Sequence, residues 1–275
     1  MRWLLVIKPQ FVAFARFHEG LASVCTRKGY GLIDQAGNLV VPPAYDAIGT
    51  PSEGMIPFMA NEFEKGRRYG YLDRSGNVVI EPNYKHARPF SEGLAAVEKE
   101  HLWGYITPSG SFQIDLQFEG AKRLADGVYV GISPGEFVHG IAPVWVRKRA
   151  VFIDRRGQIR ISRDFDEATP FSEERALVRQ GGKIGYIDTQ GKVVIEPRFS
   201  YGRSFSEGLA AVQYDNRGKV GFVDRLGNWV VEPRFSRTAR FWGGLCRVET
   251  EHSVGYIDEA GDLVWEGVLV EHGWY

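Results

Sequence analysis

The chain has 275 residues, 44% hydrophobic and 25% charged, which is an ordinary globular composition with enough apolar mass to bury a core. Its 34 basic and 34 acidic residues cancel, so no global field draws it toward nucleic acid or an anionic membrane. The 33 glycines and 13% aromatic content favour short strands and tight turns over helices.

At the N-terminus, Met1–Pro9 carries only five apolar residues before a Lys-Pro, shorter than a signal-peptide core, and no apolar run reaches membrane-span length. The expectation is a cytoplasmic protein, with export without a recognisable signal as the alternative. Leu5–Phe11 (LVIKPQF) parallels Val193–Phe199 (VVIEPRF), so 1–17 reads as half of a repeating unit, a cap. Cys25 and Cys246 are too few for a disulfide framework and read as free thiols.

From there one pattern recurs. An aspartate falls at Asp34, Asp73, Asp154, Asp188, Asp224 and Asp258, with Thr107 in the remaining slot, and a glycine follows three residues later each time. Asp-x-x-Gly is hairpin chemistry, because the carboxylate accepts a nearby backbone N–H and glycine takes a positive φ. An aromatic follows eleven residues after the reference position in six of the seven, from Tyr45 to Phe235. The repeats so marked are 18–51, 52–90, 91–124, 125–171, 172–205, 206–241 and 242–275, together a single β-repeat domain over 1–275.

Each repeat reads as three strands, as in Leu209–Val212, Lys183–Asp188 and Lys192–Glu196, with Pro43, Pro82, Pro197 and Pro233 ending the third. The strands are apolar on both faces, so neighbouring repeats must cover them. The glycine before each tyrosine, such as Gly185, is read as space for a ring from the next layer. The predicted fold is all-β: seven tandem three-stranded antiparallel units stacked as an open twisted solenoid. The alternative is a closed seven-bladed propeller-like ring, against which a 34-residue repeat is tight for four strands.

The pattern G-Y-I-D-x-x-G-x-V-V-I-E-P-x-F, followed by F-S-E-G-L-A-A-V, resembles the WG (KWG) repeat of bacterial proteins, literal at Trp103-Gly104. The resemblance covers nearly the whole chain. It implies β-rich interaction modules and brings no catalytic residue; the residues themselves give no expectation of a metal site or cofactor.

The glutamates of the E-G pairs (Glu19, Glu53, Glu92, Glu207) recur near Arg16, Arg88, Arg203 and Arg240 and suggest a ladder of ion pairs between layers. The six histidines lack metal-ligand spacing. The fourth repeat breaks the template, with an insertion at 125–139 that holds Tyr129 and Phe137, followed by Arg147, Lys148, Arg149, Arg155 and Arg156. Those residues are the candidate partner-binding site, for a protein or peptide that is acidic or phosphorylated. The competing view is a solvated edge neutralised by Glu98, Glu100, Glu173 and Glu174. The functional expectation is a non-catalytic interaction scaffold. The alternatives are a glycan or cell-wall binder using Trp103, Trp145, Trp229, Trp242 and Trp265, and, behind it, an enzyme.

Overall fold

A computed structural model describes residues 11–62, 66–120, 122–123, 129–130, 134–215 and 218–268. Most of the expected 1–17 cap, and all of the insertion except 129–130 and 134–139, lie outside them. The chain divides into two compact units. The first comprises Met1–Arg123, Ser133–Gly140 and Asp154–Gln158, and the second Leu124–Ile132, Ile141–Ile153 and Ile159–Tyr275.

The local element is a four-stranded antiparallel meander. In the second unit, Glu167–Ala168, Ala176–Gln180, Lys183–Ile187 and Val193–Phe199 pair in that order. Among the described residues five such sheets stand as separate four-stranded blades, and His86–Ala87, Ala95–Lys99, Leu102–Ile106 and Phe112–Glu119 repeat the same order in the first unit. These are the small antiparallel sheets of a β-propeller, which corrects the expected open solenoid of seven three-stranded units. The physical reason is the fourth strand. Glu167–Ala168 follows the closing aromatic Phe165 and pairs forward, Ala168 opposite Val178, onto the first long strand of the next repeat. A two-residue strand has no period to read, and it lets 34 residues hold four strands.

Two finer expectations are also corrected. The third strand does not end at proline; Val193–Phe199 runs through Pro197 to the aromatic. Ile184 pairs with Phe199 and Tyr186 with Ile195, so between these pairs one residue, Gly185, faces three, Glu196, Pro197 and Arg198. Proline sits inside that bulge, where no ladder donor is needed. The same bulge explains the glycine. A Cβ on Gly185 would stand 2.4 Å from the Ile195 carbonyl oxygen, and on Gly70 2.4 Å from that of Ile80. Glycine is there to admit the backbone of its own sheet, rather than a ring from the next.

Neighbouring sheets within a unit do cover one another. In the first unit Leu21, Leu32 and Val41 pack with Ile48, Ile56, Phe58 and Leu72 of the following sheet. In the second, Leu177, Ile184, Tyr186, Ile195 and Phe199 pack with Phe205, Ala210, Val212 and Val223. Each such side chain contributes roughly 1.5–3 kcal/mol by burial.

Candidate functional site

The aspartate turns behave as read. Asp188 Oδ1 accepts the N–H of Gln190 at 3.0 Å and of Lys192 at 2.9 Å, while Gly191 holds φ +80°. Where the turn reads Asp-x-x-Gly-Asn, the asparagine amide adds a bond to the second oxygen, 2.9 Å at both Asp34 and Asp73. That side-chain bond and the turn amides hold the Asp34 and Asp73 carboxyls below the ordinary aspartate range. These aspartates are occupied as turn caps, and among the described residues no group of three or more metal-ligating side chains converges.

The F-S-E-G segment does more than its sequence suggests. Ser206 and Leu209 exchange two backbone hydrogen bonds around Glu207 (φ +54°) and Gly208 (φ +83°), a two-residue hairpin of the type that needs positive φ twice. Its side chains then reach one repeat along the chain. Ser172 Oγ donates to the Phe205 carbonyl at 2.8 Å, and Ser206 to that of Phe241 at 2.8 Å. Glu173 accepts the N–H groups of Glu207 (2.5 Å) and Gly208 (2.8 Å), and Glu207 those of Gly243 (2.7 Å) and Gly244 (2.9 Å). The first unit carries its own series, from Glu19 to Glu53 and Gly54, from Glu53 to Gly93, and from Glu92 to His139 and Gly140.

The expected ladder of ion pairs is therefore a ladder of carboxylate-to-amide bonds. The arginines that join it follow the turn aspartate: Arg74 donates to the Glu19 carbonyl at 2.5 Å and Arg225 to the Glu173 carboxylate at 3.0 Å. Arg203, from the expected set, bonds the Tyr201 hydroxyl instead. Each series stops where a repeat lacks the glutamate, at His139 in the first unit and at Gly243 in the second. Partial burial opposes ionisation of Glu173, but the Gly208 amide, Arg225 and the Glu207 amide outweigh it and hold its carboxyl below the ordinary glutamate value of 4.5. A depressed carboxylate contributes stability above its unfolded pKa, and that stability is lost as pH falls through the folded value. Glu173→Gln puts an amide donor against backbone donors. It is expected to cost about 1–2 kcal/mol at pH 7 and to flatten the loss of stability below pH 4.5. Denaturant titrations across pH read both effects, and an unchanged midpoint at pH 7 removes the ladder from the stabilising contacts.

The candidate residues of the fourth repeat separate. Phe137 is fully buried, with its ring 4.8 Å from Tyr105 and its carbonyl accepting Ser91 Oγ at 2.6 Å. It is the core phenylalanine of the turn motif, which corrects its place as a surface contact; its position two residues before His139-Gly140 was the available signal. Tyr129 lies in the short strand Tyr129–Val130, and its side chain is outside the described residues. Arg149 is held by Asp164 (2.8 Å) and Asp166 (2.5 Å). The neutralising groups are these two aspartates, while Glu98 serves Lys85 and His86 and Glu173 serves Arg225. The Arg155 guanidinium approaches Gly93 as that of Arg74 approaches Gly20. Arg156 is exposed beside it. Arg147 (φ +49°) and Lys148 (φ +67°) form the tip of the hairpin between Ile141–Val146 and Arg149–Asp154, both exposed. A strand separates that tip from Arg155 and Arg156.

Of the tryptophans read as glycan platforms, Trp103 and Trp145 are buried, Trp229 is half-buried, and Trp242 and Trp265 are exposed. Both cysteines are free; burial, opposed by the Ala239 amide and Arg203, pushes the Cys246 thiol up to about 11.

The four-stranded sheets and their turn ladder define a β-repeat protein of the propeller class. Similar solved structures agree. A eukaryotic initiation factor matches with a TM-score of 0.56 at 11% identity, covering 90% of this chain and 73% of its own. Kluyveromyces lactis Hsv2p matches with a TM-score of 0.53 at 10% identity, covering 94% and 97%. At these identities the likeness concerns the fold alone. No curated protein is similar in sequence. The model of the WG containing repeat matches residues 30–62, 69–100, 152–183, 184–217 and 221–251, more than half of the chain, and the protein belongs to that family.

Proposed function

We propose that the protein is a non-catalytic interaction scaffold that docks an acidic protein or peptide segment on the basic hairpin of its fourth repeat. The reading is carried by one observation. Arg147 and Lys148 occupy both central positions of a hairpin turn, exposed, and neither has a hydrogen bond or ion pair among the described residues. Left-handed backbone is unfavourable for residues with a Cβ, and these two long cations occupy it at an exposed hairpin tip. The recurring Asp, Ser and Glu positions, by contrast, are taken up by turns and by the ladder. Two adjacent uncommitted cations suit carboxylates supplied from outside.

Affinity capture from host lysate with the full chain, repeated with Arg147→Glu/Lys148→Glu, tests this. Partners with acidic segments are expected to fall at least tenfold in the variant and to elute early in salt. An identical partner set in wild type and variant removes the hairpin as the docking point.

A further inference from the structure

The second unit holds a cavity of about 310 Å³ lined by Tyr201, Arg203, Arg237, Thr238, Arg247 and Glu249, among others. It lies at the junction of two sheets. Tyr201–Gly202 begins one, while Arg237–Thr238 and Cys246–Glu249 belong to the next. Arg237 and Glu249 face each other across that strand pair.

Three guanidinium groups and one carboxylate line it. Glu249 is largely buried, with 13% of its side chain exposed; one oxygen takes Arg247 at 2.5 Å and the other stands 3.8 Å from Arg237. Arg203 donates through Nε to the Tyr201 hydroxyl and lies against that ring, 5.8 Å from its centroid. Glu249 holds the Arg247 fork and the Tyr201 hydroxyl that of Arg203, each with N–H groups to spare, Arg237 reaches in from the exposed edge, and three cations face one anion. Beside them the Thr238 hydroxyl oxygen is buried without a hydrogen-bond partner. A buried hydroxyl in that condition is costly unless something supplies the bond. Val220 and Ala239 add a small apolar wall.

We infer that this cavity is a binding site for the phosphate monoester of a small organic molecule. A dianion matches the charge surplus of two. Planar forks recognise tetrahedral oxyanions with paired N–H bonds, and the Thr238 hydroxyl completes the donor set. The volume, at the small end of ligand pockets, takes the phosphate and a body of sugar size, which rests on Tyr201, Val220 and Ala239. The site uses none of the residues of the basic hairpin, so it stands independently of the docking proposed above.

Isothermal titration of the full chain with ribose 5-phosphate, inorganic phosphate and ribose tests it. Saturable binding is expected for ribose 5-phosphate, weaker binding for inorganic phosphate and none for ribose. Arg237→Ala/Arg247→Ala should weaken ribose 5-phosphate binding at least tenfold, and Arg203→Ala severalfold. Arg247→Lys keeps the charge but loses the fork and should fall between. These side chains are exposed, and thermal melting of each variant confirms that it folds. No saturable binding of either phosphate probe, or affinity unchanged in all the folded variants, overturns the inference. So does a phosphoserine peptide that binds at least tenfold more tightly than ribose 5-phosphate, which would assign the site to phosphorylated protein.

Discussion

Tyr186→Ala is expected to destabilise the second unit by about 4 kcal/mol, the scale of removing a buried aromatic ring and leaving its cavity. The ring is fully buried, 5.0 Å from that of Phe205 and inclined at 67° to it. Its hydroxyl donates to the Arg203 carbonyl at 2.8 Å. Burial pushes the phenol well above its ordinary pKa, so it remains a neutral donor at physiological pH. Tyr71 and Tyr105 repeat the arrangement in the first unit, donating to the carbonyls of Arg88 and Gly135. Tyr186→Phe keeps the ring and gives up one hydrogen bond, for an expected cost of about 1 kcal/mol. Phe222, in the corresponding place one repeat later, lacks the hydroxyl and still packs its ring 5.1 Å from Phe241. Urea unfolding of both variants separates ring from hydroxyl. If the phenylalanine variant lost as much as the alanine variant, ring packing would not be the main contribution.

Gly185→Ala is expected to cost about 2–3 kcal/mol for a single methyl group, as overpacking against a rigid neighbour does. The added carbon would meet the Ile195 carbonyl oxygen at 2.4 Å and the Pro197 nitrogen at 2.7 Å. Both are backbone atoms inside the bulge, so two paired strands would have to separate. Gly208→Ala is the control. Its φ is +83° and nothing lies within 4 Å of the new carbon, so only left-handed strain opposes it, at about 1 kcal/mol. A Gly185 variant no less stable than the Gly208 variant would show that the bulge gives way easily, and that the recurring glycine has another cause.

The repeat was legible because its marks are local. Asp188 and Gly191 lie three residues apart and make their turn within that span. Ile184, Tyr186 and Ile187 announce a two-sided buried strand by their own apolar character. The short strand Glu167–Ala168 was illegible for the opposite reason. Nothing in two residues distinguishes a paired segment from a loop, and its partner Val178 lies ten residues on. The proline was read correctly as unable to donate, yet the strand bypasses it through a bulge, a choice made by the pairing of Phe199 with Ile184.

The candidate site was legible in composition and illegible in commitment. Seven basic residues against one acid across 147–163 looked like a single field. Asp164, inside Ile159–Phe165, and Asp166 just beyond it complete Arg149, and only the pairing of that strand with Arg149–Asp154 shows this. Phe137 looked like an insertion residue until its ring was found against Tyr105. Arg203 was read only as a ladder partner, and Arg237 and Arg247 drew no attention, because the three are spread over 45 residues and three repeats.

By itself the sequence determined the recurring pattern, the turns, the two-sided burial of middle strands such as Lys183–Ile187 and the family. All of these rest on backbone preference and apolar character acting within a few residues. The tertiary structure alone decided the fourth strand and the target of each Ser and Glu in the F-S-E-G turns. It also decided which arginines are bound to neighbours and which line a cavity. Those outcomes depend on which backbone amide, carbonyl or carboxylate one sheet presents to the next. Glu173 finds Glu207 34 residues away only because two sheets stack in one register, and no residue near Glu173 in sequence records that register.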